Sequence, residues 1–338
     1  MTMRQPAEWD RHDSVWVAVP QHADLWQEAL PDAQAEFVAM CRAIQEGPNP
    51  EQLEVLVGDA SHEADARHAL SGLRARFHHI RFGDIWLRDT APIFVRDTRG
   101  TLHAARFGFN GWGGKYELPF DAQVSENIAH ASKLPSTVHD FVLEGGAVDV
   151  DGLGTLLTTE SCLLNPNRGS VRDKSVIEKR LRDALGADKV IWIRDGLLND
   201  HTDGHVDTIA RFVAPGAVVC MKPSGSDDPN HDVLLEIADT LRASTDVTGN
   251  ALTVHTIPSP GLIGNDDGKV MPASYVNFYI ANHSVVVPTY GSRFDDDAVS
   301  AIQALFPSRK VIGCSARAIL EGGGAFHCIT QQQPGAIS

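Results

Sequence analysis

The sequence has no long apolar run, no paired cysteines and no surplus of positive charge, and each lack removes a class of function. No stretch approaches the ~20 apolar residues that a membrane span needs. No apolar run follows Met1-Thr2-Met3-Arg4-Gln5-Pro6, so a secretory leader is not expected. The five cysteines (Cys41, Cys162, Cys220, Cys314 and Cys328) are odd in number, widely spread and without a CxxC pair. That distribution predicts free thiols in a reducing cytoplasm rather than a disulfide framework. Lys and Arg number 29 against 44 Asp and Glu, a formal charge of −15. Such a balance speaks against a nucleic-acid partner and suits a small cation. With 43% hydrophobic residues, the 338-residue chain can bury a sizeable core.

What is present alternates. Short runs rich in Val, Ile and Leu, bounded by Gly, Pro, Asn or Asp, predict strands at 14–18, 53–57, 93–96, 155–158, 189–193, 217–221, 276–281, 284–288 and 309–314. Helical patterns lie at 32–44, 63–73, 123–132, 172–185, 233–241 and 296–305. The fourth is the clearest, with Val176, Ile177, Leu181 and Leu185 at helical spacing and Gly186 placed to stop it. A helix flanked by strands thus recurs every ~50 to 70 residues, which predicts a structural repeat. Strands 276–281 and 284–288, joined across Asn282-His283, read as a hairpin and count against a purely parallel sheet. Residues 222–231 and 259–269 read as surface loops. No Pro/Ser-rich linker divides the chain, so one domain over 1–338 is expected.

Four segments place reactive polar residues among glycines. Gly322-Gly323-Gly324 shortly precedes Cys328, where glycines let backbone approach a ligand and a thiol could attack an electrophile; a small buried cysteine after a turn is the competing reading. Asp203-Gly204-His205-Val206-Asp207 would, if extended, point His205 and Asp207 to one side. A histidine so placed could move protons while the carboxylate holds a cation; zinc on His201, His205 and Asp207 is an alternative. Trp86-Leu87-Arg88-Asp89 sets a carboxylate behind an aromatic, suited to a planar cation. Glu144 stands before Gly145-Gly146, which could be only a strand-entry turn.

Together with PAEWDRHDSVWVAVP (6–20), six stretches resemble the agmatine deiminase family among the guanidine-modifying enzymes: WLRDTAP (86–92), FNGWGG (109–114), EGGAVDVDGLGTLLTTESCLLNPNR (144–168), DGHVD (203–207), ASYVNFYIAN (273–282) and GGGAFHCITQQQP (322–334). The resemblance implies an α/β fold, a five-bladed propeller (pentein) of repeated strand–helix units with pseudo-fivefold symmetry. It implies hydrolysis of a small cationic guanidine, most simply agmatine, with neither metal nor organic cofactor. Nucleic acid and membrane have no place in it, and a homodimer is left open. By this resemblance Cys328 is the nucleophile and His205 the acid/base, with Glu144 orienting and charging His205. Asp89 and Asp207 would grip the guanidinium and Trp86 would pack on the substrate. The chain departs from the family pattern at Val19, Ala91 and Ala325; less bulk at Val19 and Ala325 would widen the space for the substrate's tail. Arg88 and Lys115 are the cations these motifs offer to a substrate carboxylate.

Overall fold

The computed structural model describes residues 3–265 and 267–335, so residues 1–2, 336–338 and Asp266 of the expected loop 259–269 lie outside the described residues. Its strands form five sheets, of four, three, three, three and four strands. One plan recurs: an antiparallel pair, then a helix that crosses over to a strand parallel to the second. Ile93–Asp97 and Leu102–Gly108 are followed by helix Asp121–Ser132 and strand Ser136–Val142. Asp149–Val150 and Thr155–Thr159 lead through helix Lys174–Leu185 to Lys189–Ile193. Ala210–Ala214 and Ala217–Lys222 lead through His231–Arg242 to Thr253–Pro258. Tyr279–Ile280 and Ser284–Thr289 lead through Asp295–Leu305 to Lys310–Ser315.

The fifth sheet joins distant parts of the chain. Thr330–Pro334 pairs antiparallel with His12–Ala18, and helix Leu30–Ile44 leads to the parallel strand Gln52–Val57. Ala75–His79 extends that sheet after helix Ala60–Ala69. Across the chain, Met3–Arg4 adds an edge to the sheet of Ile93–Asp97. The expected repeat is therefore present in the connectivity.

Local chemistry explains the elements. Thr155–Thr159 and Ser284–Thr289 are buried along almost their whole length, as strands covered on both faces are. In Lys174–Leu185 the Asp173 side chain accepts from the Ser175 amide, and Gly186 ends the helix at φ 74°. Its buried face is Ile177, Leu181, Ala184 and Leu185, whereas Val176 is exposed. The helix expected at 63–73 runs earlier, Ala60–Ala69, because the Asp59 carboxylate accepts from the amides of Ser61 and His62 and starts it there. The hairpin across Asn282-His283 forms, with Tyr279 opposite Val286, but its first strand is only Tyr279–Ile280. Residues 276–278 leave the ladder because Asn277 turns to Cys328 and the Phe278 carbonyl accepts from Arg211.

Arg211 is wholly buried and ties separate parts of the fold together. It donates to Asp149 Oδ1 at 2.7 Å, Glu8 Oε2 at 2.8 Å and the Phe278 carbonyl at 3.0 Å. Truncation would strand two buried carboxylates, which costs ~3–5 kcal/mol where one partner of such a pair is removed. Arg211→Met is therefore expected to lower the urea midpoint sharply, whereas Arg67→Met, at an exposed ion pair, should leave it nearly unchanged.

Candidate active site

Cys328 follows the glycine run and precedes strand Thr330–Pro334. Its carbonyl accepts from the Arg88 amide at 3.0 Å. Its sulfur lies 3.2 Å from Asn277 Nδ2 and 3.6 Å from Asp207 Oδ2. It is one wall of a cleft of about 590 Å³, together with Trp86, Asp89, Trp112, His201 and Glu321. A Cβ at Gly324 would sit 2.7 Å from Trp86 Cζ3 and 3.0 Å from Cys328 Cβ, so only glycine lets tryptophan and thiol approach this closely. Burial, then the facing Asp207 and Asp89 carboxylates, push the thiol well above its ordinary range.

The expected extended strand at Asp203–Asp207 is instead a turn. Asp203 and Gly204 have φ of 68° and 91°, and Val206–Thr208 is a single 3-10 turn. His205 and Asp207 nevertheless reach one point: a Cβ built on Gly146 would lie 2.6 Å from His205 Nδ1, 3.0 Å from Asp89 Oδ1 and 3.1 Å from Asp207 Oδ2. The glycine after Glu144-Gly145 thus leaves room for three reactive groups to converge. His205 Nδ1 is 3.7 Å from Asp89 Oδ1. Burial opposes charge on His205, but Asp89, Cys162 and Glu144 outweigh it and hold the imidazole well above its ordinary range.

Asp89 sits in the short helix Leu87–Thr90 and accepts from Trp112 Nε1 at 2.8 Å and from the Gly146 amide at 3.0 Å. Arg88, its neighbour, turns the other way. It is buried, bonding Gln332 Oε1 at 2.7 Å and the His327 carbonyl at 3.2 Å, with Glu8 at 3.5 Å. Lys115 is likewise engaged, by Asp203 Oδ1 and the His201 carbonyl, both at 2.6 Å. Glu144 is fully buried, and its hydrogen bond goes to Arg168 Nε at 2.7 Å rather than to His205. Arg168 also holds Asp203 at 2.6 Å, so it fixes the turn that carries His205.

Several functional residues were not singled out from the sequence, although all lie in the stretches that carried the resemblance. His327, next to the thiol, bonds Asp207 Oδ2 at 2.7 Å through Nδ1 and Glu8 Oε2 at 2.8 Å through Nε2. Despite its burial, Asp207 is held below the usual carboxylate range by His327, His205 and Arg211. Trp112, Asn277, Arg168 and Cys162 complete the surroundings. Trp86 stacks on Trp26, centroids 6.2 Å apart, with both indoles donating to Asp84. Of the departures, Val19 lines a separate apolar pocket with Phe37 and Leu70. Ala91 and Ala325 are buried outside the cleft lining. Smaller side chains at Val19 and Ala325 therefore do not widen the cleft.

The sequence model of the Porphyromonas-type peptidyl-arginine deiminase family matches residues 4–334. An agmatine deiminase of Pseudomonas aeruginosa (strain UCBPP-PA14) is 38% identical, covering 98% of this chain and 95% of its own. The solved agmatine deiminase of Enterococcus faecalis superposes with a TM-score of 0.93 at 32% identity, covering 99% of this chain and 97% of that one. A cysteine-to-serine variant of the C. jejuni agmatine deiminase, with substrate bound, gives 0.90 at 25% identity over 99% and 97%.

Proposed function

Because the chain belongs to the agmatine deiminase family, we propose that it hydrolyses agmatine to N-carbamoylputrescine and ammonia at Cys328. One observation carries this reading: beside the thiol, the carboxylate oxygen Asp207 Oδ1 is buried with no hydrogen-bonding partner among the described residues. Unpaired buried polar groups are costly, by ~1–3 kcal/mol each and more when charged. A guanidinium brings several N–H donors and a positive charge to that point. The five sheets, on this reading, are the blades of a pentein propeller around the cleft, and the unpaired thiols suit a cytoplasmic setting.

The chemistry follows from charge. Asp89 and Asp207 face the N–H groups of the guanidinium and fix its carbon near the sulfur. Neutralising these two carboxylates removes the repulsion that keeps Cys328 protonated, so substrate binding itself favours the thiolate. The thiolate adds to the guanidine carbon, and protonated His205 gives its proton to the departing nitrogen, releasing ammonia and leaving a thiouronium. Neutral His205 then takes a proton from water as it adds to the same carbon. Collapse breaks the C–S bond, giving the ureido product and free thiol. Glu144 supports the imidazolium through its charge, while Arg168 fixes the carboxylate. Trp86 forms the wall on which the substrate packs.

The cleft's charge predicts the tail. Arg88 and Lys115, the cations that could have met a substrate carboxylate, are committed to protein partners. Lys269 is the one Lys or Arg among the described lining residues, against Glu28, Asp267 and Glu321 near the rim. A decarboxylated guanidine is therefore expected to exceed free arginine by at least ~10-fold in kcat/KM, about 1.4 kcal/mol of transition-state binding. Ammonia release from agmatine, arginine and a peptidyl-arginine under matched conditions measures it. Equal turnover of arginine would overturn the substrate and leave the deiminase chemistry standing.

A further inference from the structure

His205 and Glu144 share a buried cluster with a third group, the Cys162 thiol, which does not line the cleft. Glu144, Cys162 and His205 each offer a donor atom within 4.8 Å of the other two, and all three are fully buried. Arg168 occupies Glu144 Oε1, whereas Oε2 has no hydrogen-bonding partner among the described residues, and the Cys162 thiol faces the His205 ring. Cys162 is brought there by the short helix Glu160–Leu163, which the Thr159 hydroxyl starts by accepting from the Cys162 amide.

We propose that Glu144, Cys162 and His205 form a binding site for a soft divalent cation, Zn²⁺ or Cd²⁺, whose occupation arrests the enzyme. Carboxylate, thiolate and imidazole are the donors such ions take, and the thiolate disfavours Mg²⁺ and Ca²⁺. Zinc–ligand distances of about 2.0–2.3 Å require the donors to draw together by roughly 1 Å, within the reach of side-chain rotation. Binding releases the thiol proton of Cys162 and leaves His205 neutral. The Cys162 and Glu144 charges then balance the dication in a site from which water is largely excluded. The Arg168 guanidinium on the far oxygen of Glu144 weakens the attraction, which makes the site one for reversible inhibition rather than a structural centre. The path in runs past Asp89, which lines the cleft beside His205. This ligand set differs from the alternative of His201, His205 and Asp207. Asp207 is bonded to His327, and the His201 ring lies against Gly323.

Metal binding does not depend on the reaction assigned above, but the arrest rests on His205 being the acid/base. The test uses full-length protein carrying Cys314→Ser, since that partly buried thiol would add its own signal. Cd²⁺ titration is followed by thiolate-to-metal charge-transfer absorption, and Zn²⁺ by loss of ammonia release. The parent and its Cys328→Ser form are expected to bind one Cd²⁺ with the absorption band. Cys162→Ala and the size-conserving Cys162→Ser should lose the band, and Zn²⁺ should inhibit them at least ~10-fold less potently. The site is overturned if both Cys162 variants keep the band, if Cys328→Ser loses it, or if the parent shows none. Bound metal that left ammonia release untouched would overturn the arrest, and with it the role of His205.

Discussion

Cys328→Ser is expected to lower turnover of agmatine by on the order of 10⁴-fold or more, the scale on which loss of a covalent nucleophile is felt in hydrolases. Serine keeps the shape and the contacts that set the loop: the residue's carbonyl still accepts from Arg88, its amide still meets Asn277 Oδ1, and the hydroxyl can accept from Asn277 Nδ2 where the sulfur does now. Substrate should therefore still bind, measurable by calorimetry with the inactive variant. What is lost is a group able to become an anion when Asp89 and Asp207 are neutralised by the guanidinium; a serine hydroxyl stays protonated there. A second consequence concerns the free enzyme. With burial and two carboxylates holding the thiol protonated, alkylation by a neutral reagent should be slow at pH 7 and quicken as pH rises. A haloamidine, which carries its own cation to the carboxylates, should modify Cys328 rapidly under the same conditions. Modification of Cys162 or Cys314 with Cys328 intact would refute the assignment.

His205→Ala is expected to cost ~10²–10⁴-fold in kcat, the usual worth of a general acid/base. The direction of its pH dependence follows from its neighbours. The departing nitrogen needs the imidazolium form, which Asp89, Cys162 and Glu144 favour against the opposing effect of burial. Activity should thus persist above the ordinary histidine range and fall as pH rises through the raised value. Glu144→Gln removes one of the charges that retain the proton, so the alkaline limb should move to lower pH as well as the maximum falling. A purely structural role for Glu144, through Arg168 and the Asp203 turn, would reduce activity without moving that limb. Near-normal rates for His205→Ala across a pH series would remove it from the mechanism.

The six expected helices were readable because amphipathic spacing is local, most clearly where Gly186 also stops the helix; the expectation of 63–73 misses the start that Asp59 gives to Ala60–Ala69. Strands at Ser136–Val142, Thr253–Pro258 and Thr330–Pro334 were not readable. The first two are edge strands with much polar and exposed surface, and the third is Thr-Gln-Gln-Gln-Pro, without a Val, Ile or Leu. The pairing of the third is decided by His12–Ala18, at the other end of the chain. The motif residues Cys328, His205, Asp89 and Asp207 do meet in space. The sequence could not reveal that Glu144 bonds Arg168, that His327 bridges Asp207 to Glu8, or that Val19 faces away from the cleft. Each is a matter of side-chain direction set by long-range packing, which periodicity does not encode.

The sheet that joins Thr330–Pro334 to His12–Ala18 has a consequence for how the protein comes into being. Trp16 and Gln333, bonded across that seam, are 317 residues apart. Synthesis from the N-terminal side delivers Glu8, Asp89, Glu144, His205 and Asp207 before the thiol they surround. One edge of His12–Ala18 has no strand beside it through all of that time, and contacts of such separation form slowly. A ribosome-bound chain therefore carries these carboxylates without the thiol and without His327, which bridges Asp207 to Glu8, and it is most exposed to sheet-edge aggregation while still being made. Reactivity and protection of that edge arrive together, in the same few residues.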